Sequence, residues 1–400
     1  MNRNISNIGD ELCTGCGVCE TTCPTKCIEV KLNDNGFYKA LLNEEKCIDC
    51  QMCQKVCYKF IDVFEKSKVN TKDSFNITDS RGYLSYSLNK EIRLKSSSGG
   101  IGTELVKYAL NNGYNVCGAE YNYEENKVNH IIFDSEEGIE KIRGSKYIPS
   151  STVGAFSKFD KNKKYLVIGS PCQIYGLRKA SELKRIDNFI FVDFFCHGTP
   201  SLNLWNKYID YIKREYKIDE IIKVDFKNKD LGWHKSSMSI MGKNGQVYSK
   251  NLDEDMFMQF FLQNADLSEP CSDCKLRFNK IYSDIRLGDF WGPKCAEDEI
   301  GTSILLVNTK KGEEILKSLK GIYLEDITFE ELKISQYVGD LEIPKIKDKV
   351  QKEIKGSEKI EDIYKNNIVP MKRRKARRAI LIKPINKVKR IVKKVIKSFK

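Results

Sequence analysis

Eight cysteines near the N-terminus fall into two runs of identical spacing: Cys13, Cys16, Cys19, Cys23, and then Cys47, Cys50, Cys53, Cys57. Each member of the first run is offset by 34 residues from its counterpart in the second, so the stretch is an internal duplication. The spacing C-x2-C-x2-C-x3-C sets three thiolates on one face of a 4Fe-4S cubane and sends the fourth to the other cluster. The expected ligand sets are therefore Cys13, Cys16, Cys19 with Cys57, and Cys47, Cys50, Cys53 with Cys23. Gly15 and Gly17 suit a tight loop whose N–H groups point at sulfur. Pro24 follows Cys23 as the full pattern asks, whereas Tyr58 follows Cys57 where proline is common. Zinc is the plain alternative, but it needs two C-x2-C pairs and gives no reason for a third and fourth cysteine in register.

Met1 to Glu11 is polar, and no apolar run approaches the ~18 to 20 residues of a membrane span. A cytoplasmic chain with reduced thiols is expected, its fifteen cysteines read as cofactor ligands and not disulfides. Four hundred residues suggest two or three domains. The formal charge of +13 is uneven: Met371 to Lys400 holds fourteen basic residues and no acid, which leaves the rest of the chain at −1.

After Cys57, the polar stretch Glu65 to Asp79 reads as a linker. Beyond it strands and helices alternate. Lys95-Ser96-Ser97-Ser98-Gly99-Gly100 leads into Ile101 to Asn112, where Ile101, Leu105, Tyr108 and Ala109 recur at helical spacing before Gly113. Tyr165 to Ile168 and Phe189 to Phe195 have strand composition, so a parallel or mixed sheet crossed by helices is expected. Cys172 follows the first run, with Ser170 as helix cap and Pro171 as first helical residue; Cys196 follows the second. Parallel pairing of the two runs would bring both thiols to the carboxyl edge, where open α/β sheets place ligands. Cys271 and Cys274 form a further C-x2-C ahead of Ser283-Asp284-Ile285-Arg286-Leu287-Gly288-Asp289-Phe290-Trp291-Gly292.

The segments Ser170 to Arg178 (SPCQIYGLR) and Cys196 to Ser201 (CHGTPS), the C-x2-C and SDIRLGDFWG together resemble the family of coenzyme F420 hydrogenase/dehydrogenase beta subunits, with a 2x4Fe-4S bacterial-type ferredoxin domain fused in front. The resemblance runs from about Lys95 to about Val307; Ser170 stands where the family usually has threonine, which keeps the hydroxyl. It implies an FAD and one further 4Fe-4S cluster in the larger domain, with Cys172, Cys196, Cys271 and Cys274 as ligands, where the spacing alone leaves two core cysteines plus a zinc knuckle open. It also implies that Ser98, Gly99 and Gly100 touch FAD and that Gly144-Ser145-Lys146-Tyr147 lies near the flavin, Lys146 being placed to stabilise a reduced, anionic ring. A thiol at a helix start such as Cys172 is expected to have a lowered pKa. His197 is a candidate proton shuttle, or simply a hydrogen-bond partner of a sulfur or carbonyl. Asp284 and Asp289 read as structural. Cys27, Cys117 and Cys295 receive no chemistry, Cys27 being taken as packing.

The expected architecture is a small duplicated ferredoxin domain over 1–63, a linker over 64–90, a mixed-sheet α/β flavin and iron-sulfur domain over 91–350, and a charged tail over 351–400. Past Pro384, Ile385, Val388, Val392, Val395 and Phe399 repeat at helical steps among lysines, the pattern of a basic amphipathic helix suited to an anionic membrane surface. Nucleic acid is disfavoured, because the body has no basic excess. The expected function is an oxidoreductase with three 4Fe-4S clusters and FAD. It would pass electrons between a small-molecule redox substrate and a donor or acceptor such as a ferredoxin or reduced deazaflavin, in the cytoplasm or on the inner face of the membrane. Two alternatives stand beside it: an electron-transfer subunit without its own substrate, and a membrane-surface accessory protein of polysaccharide or envelope assembly.

Overall fold

The computed structural model describes residues 4–61, 75–76, 80–278, 280–336 and 341–377. The duplication is visible in the backbone. Helices Val18–Thr22 and Met52–Lys55 each begin inside a cysteine run, and each is preceded by a left-handed residue, Gly17 (φ 80°) and Gln51 (φ 63°). Two residues earlier Gly15 and Asp49 are left-handed as well. A Cβ on Gly15 would lie 2.3 Å from the Tyr38 carbonyl oxygen, so only glycine fits there. An antiparallel hairpin, Ile28–Leu32 with Tyr38–Leu42, joins the halves.

The larger part is built on a nine-stranded sheet. Its order is Ile322–Ile327, Arg81–Ser87, Ser303–Val307, Ile285–Asp289, Phe189–Phe194, Lys164–Ile168, Tyr114–Asn122, Lys127–Phe133, Ser150–Ser151. The four strands Ile285–Asp289, Phe189–Phe194, Lys164–Ile168 and Tyr114–Asn122 are mutually parallel, with antiparallel strands on either side. The mixed sheet is thus the one the alternating pattern calls for.

Both faces of the central strands are covered, which is why they read as unbroken apolar runs. Tyr165, Val167, Phe189 and Phe191 face helix Pro171–Lys184 and the cysteine-rich module, in a core shared with Val18 and Val56. The alternate residues Leu166, Ile190 and Val192 face helix Ile101–Asn111 and helix Lys310–Ser318. The module sits tightly on its side: a Cβ on Gly176 would come within 2.8 Å of Val18 and 3.2 Å of the Val56 carbonyl oxygen.

A second core surrounds helix Leu202–Tyr216, whose Trp205, Tyr208, Ile209 and Ile212 recur on one face and are buried against the sheet Ile221–Asn228, Ser237–Gly242, Val247–Asn251. Two expected boundaries shift. Strand Arg81–Ser87 lies inside the segment read as linker, its Tyr83 and Leu84 buried. The segment read as tail begins in folded helices, Lys347–Lys355 and Ile360–Ile363, whose Val350, Ile354, Ile360 and Ile363 fill the second core. The basic helix past Pro384 lies outside the described residues.

Candidate electron-transfer site

The sulfur atoms gather into three sets. In the inner N-terminal set, burial and then the neighbouring sulfurs of Cys172, Cys57 and Cys13 push the Cys16 thiol well above its ordinary value. Burial and then Cys16, Cys13 and Cys57 do the same to Cys19, and Cys57 is pushed up to about 12, chiefly by burial. Cys57, the fourth cysteine of the second run, thus lies near Cys13, Cys16 and Cys19. The backbone N–H groups of Gly15 and Ala40 point at Cys13 Sγ, each at 3.4 Å. In the outer set, Cys23, Cys47, Cys50 and Cys53 line one pocket. Asn4 Nδ2 donates to Cys47 Sγ at 3.7 Å, and Cys50 is exposed to solvent.

The third set stands at the carboxyl edge of the sheet. Strands Lys164–Ile168 and Phe189–Phe194 are parallel neighbours, so Cys172 and Cys196 emerge side by side. Ser170 is the helix cap: its N–H donates to Gln173 Oε1 at 2.8 Å, and its Oγ lies 3.2 Å from Cys172 Sγ. Cys271 and Cys274 arrive from helix Glu269–Ser272 and the turn after it. The loop carrying Cys196 is tied to them by Ser268 N–H donating to Thr199 O at 2.9 Å. Burial and then Cys271, Cys172 and Cys274 raise the Cys196 thiol, and burial with Cys172 and Cys274 pushes Cys271 up to about 12. The expected lowering at Cys172 is corrected: its thiol is raised, because burial outweighs the help from Ser170 and Thr14.

Buried thiols that repel one another as thiolates need a cation among them, and a coordinating metal deprotonates them outright. Among the described residues no three His, Cys, Asp or Glu side chains converge on the point a single ion would occupy. Four cysteines are the donor set that a 4Fe-4S cubane takes.

The inner and third sets adjoin. After burial, the nearby Cys172 sulfur does most to raise the Cys16 thiol, and Thr14, from the loop between Cys13 and Cys16, stands beside Cys172. Tyr58, next after Cys57, is buried among Tyr175, Leu276 and Tyr282 with Cys172 and Cys274 packed against them. Its hydroxyl donates to Pro270 O at 3.3 Å and lies against the Cys274 sulfur. Beneath the third set, Arg286 Nε and Nη2 donate to Asp193 Oδ1 and Oδ2 at 2.8 and 2.6 Å, both side chains fully buried. Arg277, in hydrogen bond with the Cys271 carbonyl, continues the brace.

The glycine-serine loop reaches the same edge of the sheet, since Asp289 is in register with Ser303 and Ser303 with Ser85. Ser98 Oγ donates to Thr302 O at 2.8 Å and the Gly99 N–H to Ser303 Oγ at 2.9 Å, so both are engaged in holding the loop. Gly99 is needed for close approach, as a Cβ would meet Ser85 O at 2.6 Å, and Gly100 caps helix Ile101–Asn111 at φ 88°. The two segments expected near flavin touch: Ser145 N–H donates to Ser97 Oγ at 2.8 Å. Lys146 Nζ donates to Arg143 O at 2.9 Å and Gly144 O at 3.2 Å, and burial lowers its ammonium to about 7 against the pull of Glu120 and Asp225.

His197 does not bond a sulfur; its Nε2 pairs with Asn264 Oδ1 at 2.7 Å, and burial lowers its pKa. Asp284 accepts from Arg178, Thr309 and the Phe191 N–H, and Asp289 accepts from Lys227 and Trp233; both hold structure. Sequence reasoning missed Lys229, whose Nζ donates to the carbonyls of Arg93, Ser98 and Ile300 at 2.6, 3.0 and 2.6 Å. No motif marks it among so many lysines.

Comparison with known proteins places these parts. The model of the coenzyme F420 hydrogenase/dehydrogenase beta subunit matches residues 83–157 with its N-terminal part and 162–331 with its C-terminal part. The 4Fe-4S dicluster domain matches residues 12–61. One of the subunits of the F(420)H(2) dehydrogenase of Methanosarcina mazei is 23% identical over 319 residues, 77% of this chain and 82% of that one. The coenzyme F420-dependent sulfite reductase of Methanocaldococcus jannaschii is 26% identical over 355 residues, 83% of this chain and 50% of that one, so the chain spans half its length. A chain of the F420-reducing [NiFe] hydrogenase complex of Methanosarcina barkeri aligns with a TM-score of 0.44 at 19% identity, over 75% of this chain and 94% of that one.

Proposed function

Because the chain belongs to the family of coenzyme F420 hydrogenase/dehydrogenase beta subunits and carries a 4Fe-4S dicluster domain ahead of that region, we propose that it is a three-cluster flavoprotein relay, with electrons passing between the outer thiol set, the inner set, the third set and FAD. Its expected division is a ferredoxin domain over 1–63 joined to a flavin and iron-sulfur domain. The observation that carries the relay is that Tyr58, next after Cys57, is buried in one cluster with Tyr175, Leu276 and Tyr282, against which Cys172 and Cys274 pack. When bound, clusters supply single-electron steps and FAD couples them to two-electron, hydride-type chemistry.

The residues supply position and polarity. Cys172, Cys196, Cys271 and Cys274 would hold the third cluster, and the Asp193–Arg286 brace fixes the strand ends that carry them. Ser98, Gly99, Gly100 and Lys146 would meet the flavin. Arg143 Nε supports an anionic ligand at that point, since it is buried with no hydrogen-bond partner and an unpaired buried donor costs free energy. Lys229 holds the loop against it.

A small-molecule redox substrate at the flavin and a protein or deazaflavin partner complete the proposal. The exposure of Cys50 favours the second reading as well: an electron-transfer subunit docking a partner at the outer set, as the name of the Methanosarcina mazei relative suggests for that protein. Anaerobic purification with iron, sulfide and flavin assayed per chain tests the reading. About twelve irons and one FAD are expected, and Cys172→Ala should remove about four irons. An unchanged iron count in that variant would reject its role, and turnover by the isolated chain would separate enzyme from relay subunit.

A further inference from the structure

Cys27 lies outside both ligand patterns, yet its sulfur stands 3.4 Å from Cys23 Sγ. It also lines the cavity shared by Cys23, Cys47, Cys50 and Cys53. The local backbone brings this about. Lys26 is left-handed (φ 51°), its N–H donates to the Cys23 carbonyl at 3.3 Å, and the resulting turn folds residue 27 back beside residue 23. Cys27 itself is 5% exposed, and its carbonyl is fixed by the Asn43 N–H at 2.8 Å.

The duplication supplies an internal comparison. The position equivalent to Cys27 in the second half is Ile61, 1% exposed and packed with Tyr58, Tyr175 and Tyr282. The fold asks only for an apolar side chain at this place. The first half puts a sulfur there, on the wall of the pocket that Cys23, Cys47, Cys50 and Cys53 share.

We propose that Cys27 is a reserve ligand of the outer cluster, able to take the iron that Cys23 holds. The inference rests on the reading of Cys23, Cys47, Cys50 and Cys53 as a cluster site. The exchange breaks the iron–Sγ bond of Cys23 and forms one to Cys27 Sγ. The proton leaving Cys27 passes to the released Cys23 sulfur beside it, so no iron changes oxidation state and no outside reagent enters. The inner cluster has no such spare, because Ile61 offers no donor. The two halves, alike in spacing, therefore differ in tolerance: the exposed cluster survives loss of its fourth ligand and the buried one does not.

The test uses the full chain purified without oxygen, with iron and acid-labile sulfide counted and the reduced clusters observed by electron paramagnetic resonance. Cys23→Ala and Cys27→Ala are each expected to keep the iron content of the parent, whereas Cys23→Ala/Cys27→Ala should lose about four irons. Cys57→Ala, the control from the other half, should lose about four by itself. Cys23→Ala falling to the iron content of Cys57→Ala, or showing a three-iron signal, would overturn the reserve role. Parent iron that is insensitive to both Cys57→Ala and the double change would instead refute the cluster reading beneath it. Retention of the third cluster's signal in every variant reports that the chain is folded.

Discussion

Tyr58 takes the place that Pro24 fills in the first run, and the exchange moves a hydroxyl into the third sulfur set. That hydroxyl donates to Pro270 O with the Cys274 sulfur beside it; turned onto the sulfur of a reduced, more negative cluster it would stabilise that form and so raise the potential. Tyr58→Phe keeps the ring packing against Tyr175 (6.4 Å, edge-on) and removes only that hydroxyl. The third cluster's midpoint should move to more negative potential at unchanged iron content, read by redox titration of its resonance signal; an unmoved midpoint would assign Tyr58 to packing alone. Asp266 is the other residue with a measurable signature. Burial raises its carboxyl to about 6, although Ser201 N–H and Oγ donate to it at 2.9 and 2.6 Å. A folded-state value above the unfolded one of ~3.9 means that the folded chain holds the extra proton between those values, so stability falls as pH rises through that window. Between about pH 5 and 6 the loss should be about 1 kcal/mol, and Asp266→Asn should flatten it in urea unfolding. An identical slope in the variant would place the titration elsewhere.

Helix Pro171–Lys184 links the three parts: it carries Cys172 at its start, covers the sheet, and receives the N-terminal module at Gly176. A larger side chain there must push on Val18 and the Val56 carbonyl, at about 1–3 kcal/mol for overpacking. Gly176→Leu should retain all iron yet slow electron passage from the N-terminal clusters to the third, followed by rapid-mixing absorption; an unchanged rate would show that this contact does not set the spacing. Much of this was legible beforehand. The runs Tyr165 to Ile168 and Phe189 to Phe195 read as strands of a sheet crossed by helices, and in the structure Cys172 and Cys196 follow the ends of two parallel neighbours. The nearness of Cys57 to the first run followed from the repeat. What escaped were contacts that no local pattern encodes. Lys229 is bound to Ser98 from across more than a hundred positions, Arg81–Ser87 follows directly on a polar stretch without a clean alternation and so passed for linker, and Val350, Ile354, Ile360 and Ile363 were hidden among lysines. The roles of the flavin-loop residues came from family likeness, because side chains engaged in holding a loop look the same in sequence as those free to bind.

For the whole molecule, charge and burial divide differently from the expected tail. Among the described residues no helix is long and apolar enough to cross a membrane; independently of that, we propose that the basic repeat past Pro384 lies on anionic lipid. Removing Ile385 to Lys400 should abolish cosedimentation with vesicles of anionic lipid while leaving the visible spectrum intact; equal binding by the shortened chain would defeat the idea. The exposure of Cys50 against the burial of Cys13 and Cys19 has a further consequence for the molecule in air. With clusters bound as proposed, dioxygen arriving from bulk water would meet the outermost sulfur set first, so bleaching would proceed from the rim inward and a partly aged sample would lose its outer contact while its interior remained intact.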